Sequence, residues 1–186
     1  MSNAYGFEFI AGSVSLSFVD TKGGRGGVAI ERLDGPDALA AWLLLAGLAT
    51  PDAARPGIDH VARAQTLREA IYRTVRVAMT TDTPSSADIA TINRAAIQPP
   101  LRPQLGVLGV QYVAPAPVDA ALSVIAADAI AVLGQAERLR ECSECRMLFL
   151  DTSRPGRRRW CSSSAGCGNR AKVRNHRARA RTSVGG

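Results

Sequence analysis

The sequence predicts a mainly α protein with a short β element: a helical N-terminal body over residues 1–137 and a small cysteine-knit finger over residues 138–186. Three observations carry this prediction. Apolar residues recur at three- and four-residue spacing through long stretches of the first 137 positions. Aromatics make up only 5% of a chain that is 46% hydrophobic, so the core is one of Ala, Leu, Val and Ile, which suits helices better than aromatic-rich strands. All four cysteines fall within residues 142–167. At 186 residues there is room for one packed domain and a small appendage.

The first clear helix opens at Pro36–Asp37 and runs through "DALAAWLLLAGL", with Asp34 and Asp37 as cap or first-turn carboxylates and Gly47 near its end. A second covers "IDHVARAQTLREAIYRTVRVAM". Its buried stripe is Ile58, Val61, Ala64, Leu67, Ile71, Val75 and Ala78, and His60 lies off it as a surface or half-buried residue. A third, "SADIATINRAAI", is capped by Ser85 or Ser86 and stopped by Pro99–Pro100. "LGVLGVQYVAP" then reads as one or two strands, and "PVDAALSVIAADAIAVL" as an almost wholly apolar central helix ending at Gly134. "KGGRGG" (22–27) lacks the spacing of either phosphate-binding glycine motif and reads as a plain loop. No flexible linker precedes the cysteines, so body and finger are expected to dock.

Several function classes drop out. The longest apolar run, 38–46, is far below the ~18 residues of a membrane span, and "MSNAYGFEFI" has no signal-peptide pattern, so a cytoplasmic protein is expected. With histidines only at 60 and 176, a Ser-His-Asp or Cys-His arrangement has few candidate members, and the chain is not expected to be an enzyme. Charge points elsewhere. Residues 138–186 hold thirteen basic against three acidic groups, a net +10, whereas the body is net −3. Such asymmetry suits a polyanion partner, although a basic run alone is more often a solvated tail.

The cysteines are spaced Cys142-x2-Cys145, fifteen residues, Cys161, five residues, Cys167. In a cytoplasmic chain this pattern favours metal over disulfides: two pairs of thiolates converge on one tetrahedral ion. The alternatives are a thioredoxin-like redox pair or free thiols. Zn²⁺ suits an all-thiolate set better than Ca²⁺ or Mg²⁺, and iron remains compatible. "MLFLD" and "RRRW" read as the two arms of a hairpin with "TSRPG" as its turn, giving a knuckle–hairpin–helix of treble-clef or ribbon type. With few large apolar residues in 142–170, metal binding would supply the folding free energy.

The stretch "CSECRMLFLDTSRPGRRRWCSSSAGCGNRAKVRNHRAR" resembles the CGNR zinc-finger family. It has the C-x2-C pair, the F-x-D-x-S of Phe149, Asp151 and Ser153, the R-W-C of 159–161 and the C-G-N-R-A-K of 167–172. "LSFVDT", "ERLDGPDALAAWLLLAGL" and "LREAI" are similar to the signatures of that family's helical ABATE domain. The resemblance covers nearly the whole chain. It departs at the five-residue spacing of Cys161 and Cys167, where the family has four, and at Asp20, where the family has Asn, so a ligand role for that position stays open. It implies a bacterial transcription regulator that binds DNA through its finger and regulates through its helical body.

On a helical wheel, Arg170, Arg174, Arg177 and Arg181 form one stripe, and Lys172, His176 and Arg179 a nearly opposite one. Neither flank is apolar enough to dock on a core, which leaves a helix able to enter a major groove and reach phosphates on both walls. The sequence thus assigns Cys142, Cys145, Cys161 and Cys167 to one structural zinc. It assigns Arg157, Arg158, Arg159, Arg170, Lys172, Arg174, Arg177, Arg179 and Arg181 to double-stranded DNA. The body is expected to sense a small-molecule effector or to mediate a homodimer. An RNA- or ribosome-associated module and a protein-docking finger are the alternatives.

Overall fold

The computed structural model describes residues 4–49, 55–80, 82–107, 109–161, 166–170, 172–173 and 177. The element order is α1 (Val14–Val19), β1 (Lys22–Gly23), β2 (Ile30–Glu31), α2 (Pro36–Leu45), α3 (Ile58–Ala78), α4 (Ser86–Ala96), β3 (Arg102–Gly106), β4 (Gly109–Val113), α5 (Pro117–Leu133), β5 (Leu139–Glu141) and β6 (Leu148–Leu150). The body is helical, and among the described residues the β structure is three antiparallel two-stranded pairs: β1 with β2, β3 with β4, and β5 with β6. No helix among the described residues is long and apolar enough to cross a membrane.

α3 is the longest helix and packs against α1, α2, α4 and α5. Its predicted stripe is buried from Val61 to Val75, but Ile58 stands in solvent at the first turn. His60 is half-buried and its ring Nδ1 accepts the Gly57 N–H at 2.9 Å, which caps the helix. α4 begins on the Ser85 hydroxyl as predicted. Its C-terminal carbonyls are gathered by Ser123 of α5, which donates towards Ala96 O (3.1 Å) and Gln98 O (2.8 Å). Arg73 of α3 grips Asp88 of α4 through two nitrogens, at 2.9 and 2.5 Å.

α1, like the short β1 and β2 that follow it, is an element that the sequence reading passed over. "VSLSFV" alternates apolar and polar residues, yet it is a helix with Ser15, Leu16, Ser17, Phe18 and Val19 all buried. The serines satisfy themselves locally: Ser17 donates to Ser13 O at 2.8 Å, and Ser13 caps the Leu16 N–H at 3.2 Å. Asp128 of α5 accepts the Ser15 N–H at 2.8 Å. Phe18 meets Trp42 of α2 edge-on, with ring centroids 4.9 Å apart, at the centre of the core.

That core does not stop at the finger. Leu139, Met147, Leu148, Phe149, Leu150 and three of the cysteines are buried in the same hydrophobic cluster as the helices. β6 lies against α1, and the Leu150 N–H donates to Ala11 O at 2.8 Å. Gly12 allows this approach: its φ is +84°, and a Cβ there would lie 2.7 Å from Leu150 O. The expected docking of the two units is therefore an extension of one core.

The finger's hairpin differs from the one expected. β6 (148–150) does pair, but its partner is β5 (139–141), in the register Leu139↔Leu150, Arg140↔Phe149, Glu141↔Leu148. The "RRRW" stretch is not a strand; it returns to touch the knuckle, where Ser143 N donates to Arg159 O at 3.2 Å. The physical reason is Asp151. Its buried carboxylate takes the Ser153 N–H (3.0 Å) and the Arg158 N–H (2.8 Å), folding "TSRPG" into a loop that diverts the chain. β5 already fills the strand position.

Candidate metal centre

β5 and β6 open into a tight knuckle formed by residues 142–147. The Cys142 N–H donates to Met147 O at 2.8 Å, and the Arg146 N–H returns to Cys142 O at 3.0 Å. Arg146 takes a left-handed φ of 64° to close the turn. Its guanidinium pairs with Glu141 at 2.6 Å, and Glu141 also binds Arg76 of α3 at 2.7 Å. The knuckle is thereby tied to the longest helix of the body. Cys161 arrives from the Asp151 loop, and Cys167 from the first turn of the C-terminal helical segment, in which residues 167–170, 172–173 and 177 are helical.

The sulfur atoms of Cys142, Cys145, Cys161 and Cys167 all lie within 4.8 Å of one another. Cys145 and Cys161 are 3.6 Å apart, and Cys161 and Cys167 3.7 Å. A tetrahedral Zn²⁺ with bonds of about 2.3 Å requires sulfurs about 3.8 Å apart, so the donor set fits the ion in number, chemistry and spacing. The electrostatics agree. At this spacing the thiols cannot all ionise by themselves. The Cys145 thiol is drawn down to about 5 by its hydrogen bond with Cys161, and the same bond, with burial, pushes Cys161 up. Burial pushes Cys167 up to about 11. A divalent cation reverses this by deprotonating its coordinating thiols outright. The centre is structural: three of its four thiols are buried, and the zinc supplies cross-linking and folding free energy.

Around the sulfurs, several arginines are already committed. Arg170 donates to Cys167 Sγ at 2.9 Å, a cation beside a thiolate. Arg158 is half-buried, donates to Cys161 O and lies over the Phe149 ring at 5.1 Å. Arg138 binds Asp151 O and Ser153 O, at 3.2 and 3.3 Å. Buried Asp151 would be raised by desolvation, but hydrogen bonds from Ser153 and Arg158 outweigh it and hold its carboxyl below the usual range. Loss of the Arg170 guanidinium should weaken the site without removing a ligand. Arg170→Ala is expected to lower zinc affinity about ten-fold, measured by competition with a chromophoric chelator. Unchanged affinity would show the contact to be incidental.

Of the residues assigned to DNA, Arg157, Arg159, Arg170, Lys172 and Arg177 are exposed beside this centre. Arg174, Arg179 and Arg181 lie outside the described residues. Arg154, in the Asp151 loop, is also exposed and was not singled out by sequence reasoning. Asp20 does not join the metal cluster. It ends α1 and lines a crevice of about 10 Å³ with Cys145 and Arg146. Burial lifts its carboxyl to about 7, with Arg32 opposing the rise.

The three body signatures also meet in space. Arg68 of α3, only 1% exposed, binds both oxygens of Glu31 at 2.6 Å, Glu69 at 2.9 Å and the Thr21 hydroxyl at 3.3 Å. Arg25, from the glycine loop, clamps Glu69 at 2.9 and 3.0 Å and stacks on Tyr72 at 3.9 Å. That loop is thus more than a spacer. Gly24, at φ +66°, lets the turn close where a Cβ would lie 2.0 Å from Val28 O.

A family profile described as "Putative stress-induced transcription regulator", named ABATE, matches residues 12–136. The chain belongs to the ABATE family. A second profile, the CGNR zinc finger, matches residues 138–180, so the ABATE body passes into its finger within the turn that leads to β5. A search of curated proteins finds no match. The Thr21–Glu31–Arg68 network lies within the ABATE match and the four-cysteine cluster within the CGNR match.

Proposed function

We propose that the protein is a zinc-dependent transcription regulator of the bacterial cytoplasm that binds double-stranded DNA through its finger. The observation carrying this reading is a set of exposed cations in the segments that carry the four-thiol metal cluster. Arg154, Arg157, Arg159, Lys172 and Arg177 are exposed around a centre whose Arg138 and Arg158 are held by backbone carbonyls. Cations on a pre-ordered scaffold lose little entropy on meeting phosphates, and counterion release drives the association. Val173 is half-exposed, in keeping with a helix whose flanks are free to approach a groove. This reading assigns no reaction to the protein.

For the body, the β3–β4 hairpin favours a dimer. The register places Pro103, Leu105, Val110 and Tyr112 on one face, and Leu105, Val110 and Tyr112 are 88%, 65% and 50% exposed. An isolated two-stranded hairpin is marginal in water, and Arg102 is the only charged residue in 98–116, so two copies can meet face to face without repulsion.

The test is in-vitro selection with zinc-loaded protein, offered random duplex DNA and random RNA in parallel near physiological salt. A DNA consensus is expected, and a two-fold symmetric one would report the dimer. Lys172→Ala should weaken binding to the selected site and shallow the log–log salt slope by about one unit. Enrichment of RNA alone would replace this reading with an RNA-associated module, and enrichment of neither would favour a protein-docking finger.

A further inference from the structure

The body holds a cleft of about 350 Å³ where α3, α4 and α5 diverge, on the range of sites that take small molecules. Its floor is apolar, formed by buried Leu67 and Leu122. Its walls are small residues, among them Ala62 and Ala95, where one larger side chain would close the gap. Elsewhere the core is filled by large side chains, Phe18 of α1 and Leu39 and Trp42 of α2, all fully buried, so the opening is local.

The polar groups at the rim are of two kinds. Arg63 pairs with Asp119 across the mouth at 3.0 Å, joining α3 to α5. Arg94 of α4 lines the cleft and forms no ion pair among the described residues, which leaves the rim with one net positive charge. Thr66 and Thr91 donate their hydroxyl protons to Ala62 O and Ala87 O of their own helices, at 2.8 and 2.9 Å, so each turns lone pairs to the opening. An apolar floor and one uncompensated guanidinium select a ligand with a compact apolar part and a single planar anion, while the two threonine hydroxyls, already donating to their own helices, contribute no donor to it.

We propose that this cleft is a binding site for a small organic monocarboxylate, seated on Leu67 and Leu122 with its carboxylate on Arg94. A phosphate dianion would exceed the single net charge of the rim. The inference deepens the regulatory reading of the body and rests on it for biological meaning only. α3 gives the site a route to the finger: Arg63, Thr66 and Leu67 line the cleft, Arg68 anchors the buried network, and Arg76 binds Glu141 beside the zinc knuckle.

Zinc-loaded full-length protein labelled with ¹⁵N would be titrated with benzoate and hexanoate, and separately with benzamide and hexanamide. At least one carboxylate should give saturable shifts confined to residues 62–67, 91–98 and 119–122, with its amide binding about ten-fold more weakly. Arg94→Gln should cause a similar loss for the carboxylate with an unchanged melting temperature. Ala95→Phe, which fills the cleft, should abolish the shifts. Absence of saturable binding by about 10 mM, or carboxylate binding that survives Arg94→Gln at wild-type strength, overturns the proposal. No nucleic acid enters these titrations, so failure here leaves the DNA-binding reading standing, and a failed selection leaves the cleft standing.

Discussion

Withdrawing zinc with a chelator, or replacing Cys161 by Ser, should unfold residues 142–173 and leave the helical body folded but less stable. Beyond β6, whose side chains join the core of the body, the finger has little else to hold it. Its sulfurs converge from three separate stretches of chain, and the intervening Asp151 loop is organised by hydrogen bonds that only close a local turn. Structural zinc contributes about 10–16 kcal/mol to the folding of small finger peptides, more than any other single interaction available here. The body should feel the loss through β6. Leu148 and Leu150 are buried in the common core, and Leu150 is hydrogen-bonded to Ala11 beside α1. Uncovering two such side chains removes about 3–6 kcal/mol of burial, or roughly 10 °C in melting temperature for a chain of this size. Hydrogen exchange should show fast exchange confined to the finger, and far-UV circular dichroism should retain most of its helical signal at 25 °C. Complete loss of helix on chelation would mean that the body cannot fold without its finger. Unaltered exchange at 142–173 would mean that the thiols do not hold it.

How much of this was legible in the sequence depends on the reach of each interaction. α2 to α5 were readable because their stripes and caps are local, down to the Ser85 cap of α4. The four ligands were readable because the chemistry of thiols requires them to converge, whatever path the chain takes between them. α1 was not: its alternation of apolar residues with Ser15 and Ser17 mimics a strand, and only burial on every side shows why serines are tolerated. The finger's true strand pair was obscured by its strongest local signal. "TSRPG" looks like a hairpin turn, but the Asp151 carboxylate bends it away and β5, upstream of the first cysteine, takes the pairing position. The Arg68 network joins residues 37 and 47 positions apart, beyond any periodicity. One signal did point to it: Arg68 sits among the apolar positions of α3, between Ala64 and Ile71, where a charge needs a buried partner.

That buried partner makes Arg68 the most consequential single residue of the body. Arg68→Ala should destabilise the protein by about 2–3 kcal/mol, because Arg68 is buried while its partner Glu31, 32% exposed, is left only partly solvated. Glu31 would suffer most, losing both of its short contacts, whereas Glu69 would keep Arg25. The acid limb of stability carries a second signature. Burial alone would raise both carboxyls, but Arg68 holds Glu31 below 4.5, and Arg25 with Arg68 holds Glu69 down at about 2. Since the folded values are depressed, the stabilisation is complete above the unfolded value of 4.5 and is lost as the pH falls from there towards about 2. In Arg68→Ala, part of that loss is already incurred at neutral pH, so stability should fall less steeply through the same window. A double variant, Arg68→Met with Glu31→Gln, removes the stranded charge and should recover much of the stability at pH 7. Urea unfolding at pH 7 and at pH 3.5 measures all three effects. A loss under about 1 kcal/mol with an unchanged acid slope would place the stability of the body in its apolar core alone, and would reduce Arg68, Glu31 and Thr21 to a way of closing one seam between α1, β2 and α3.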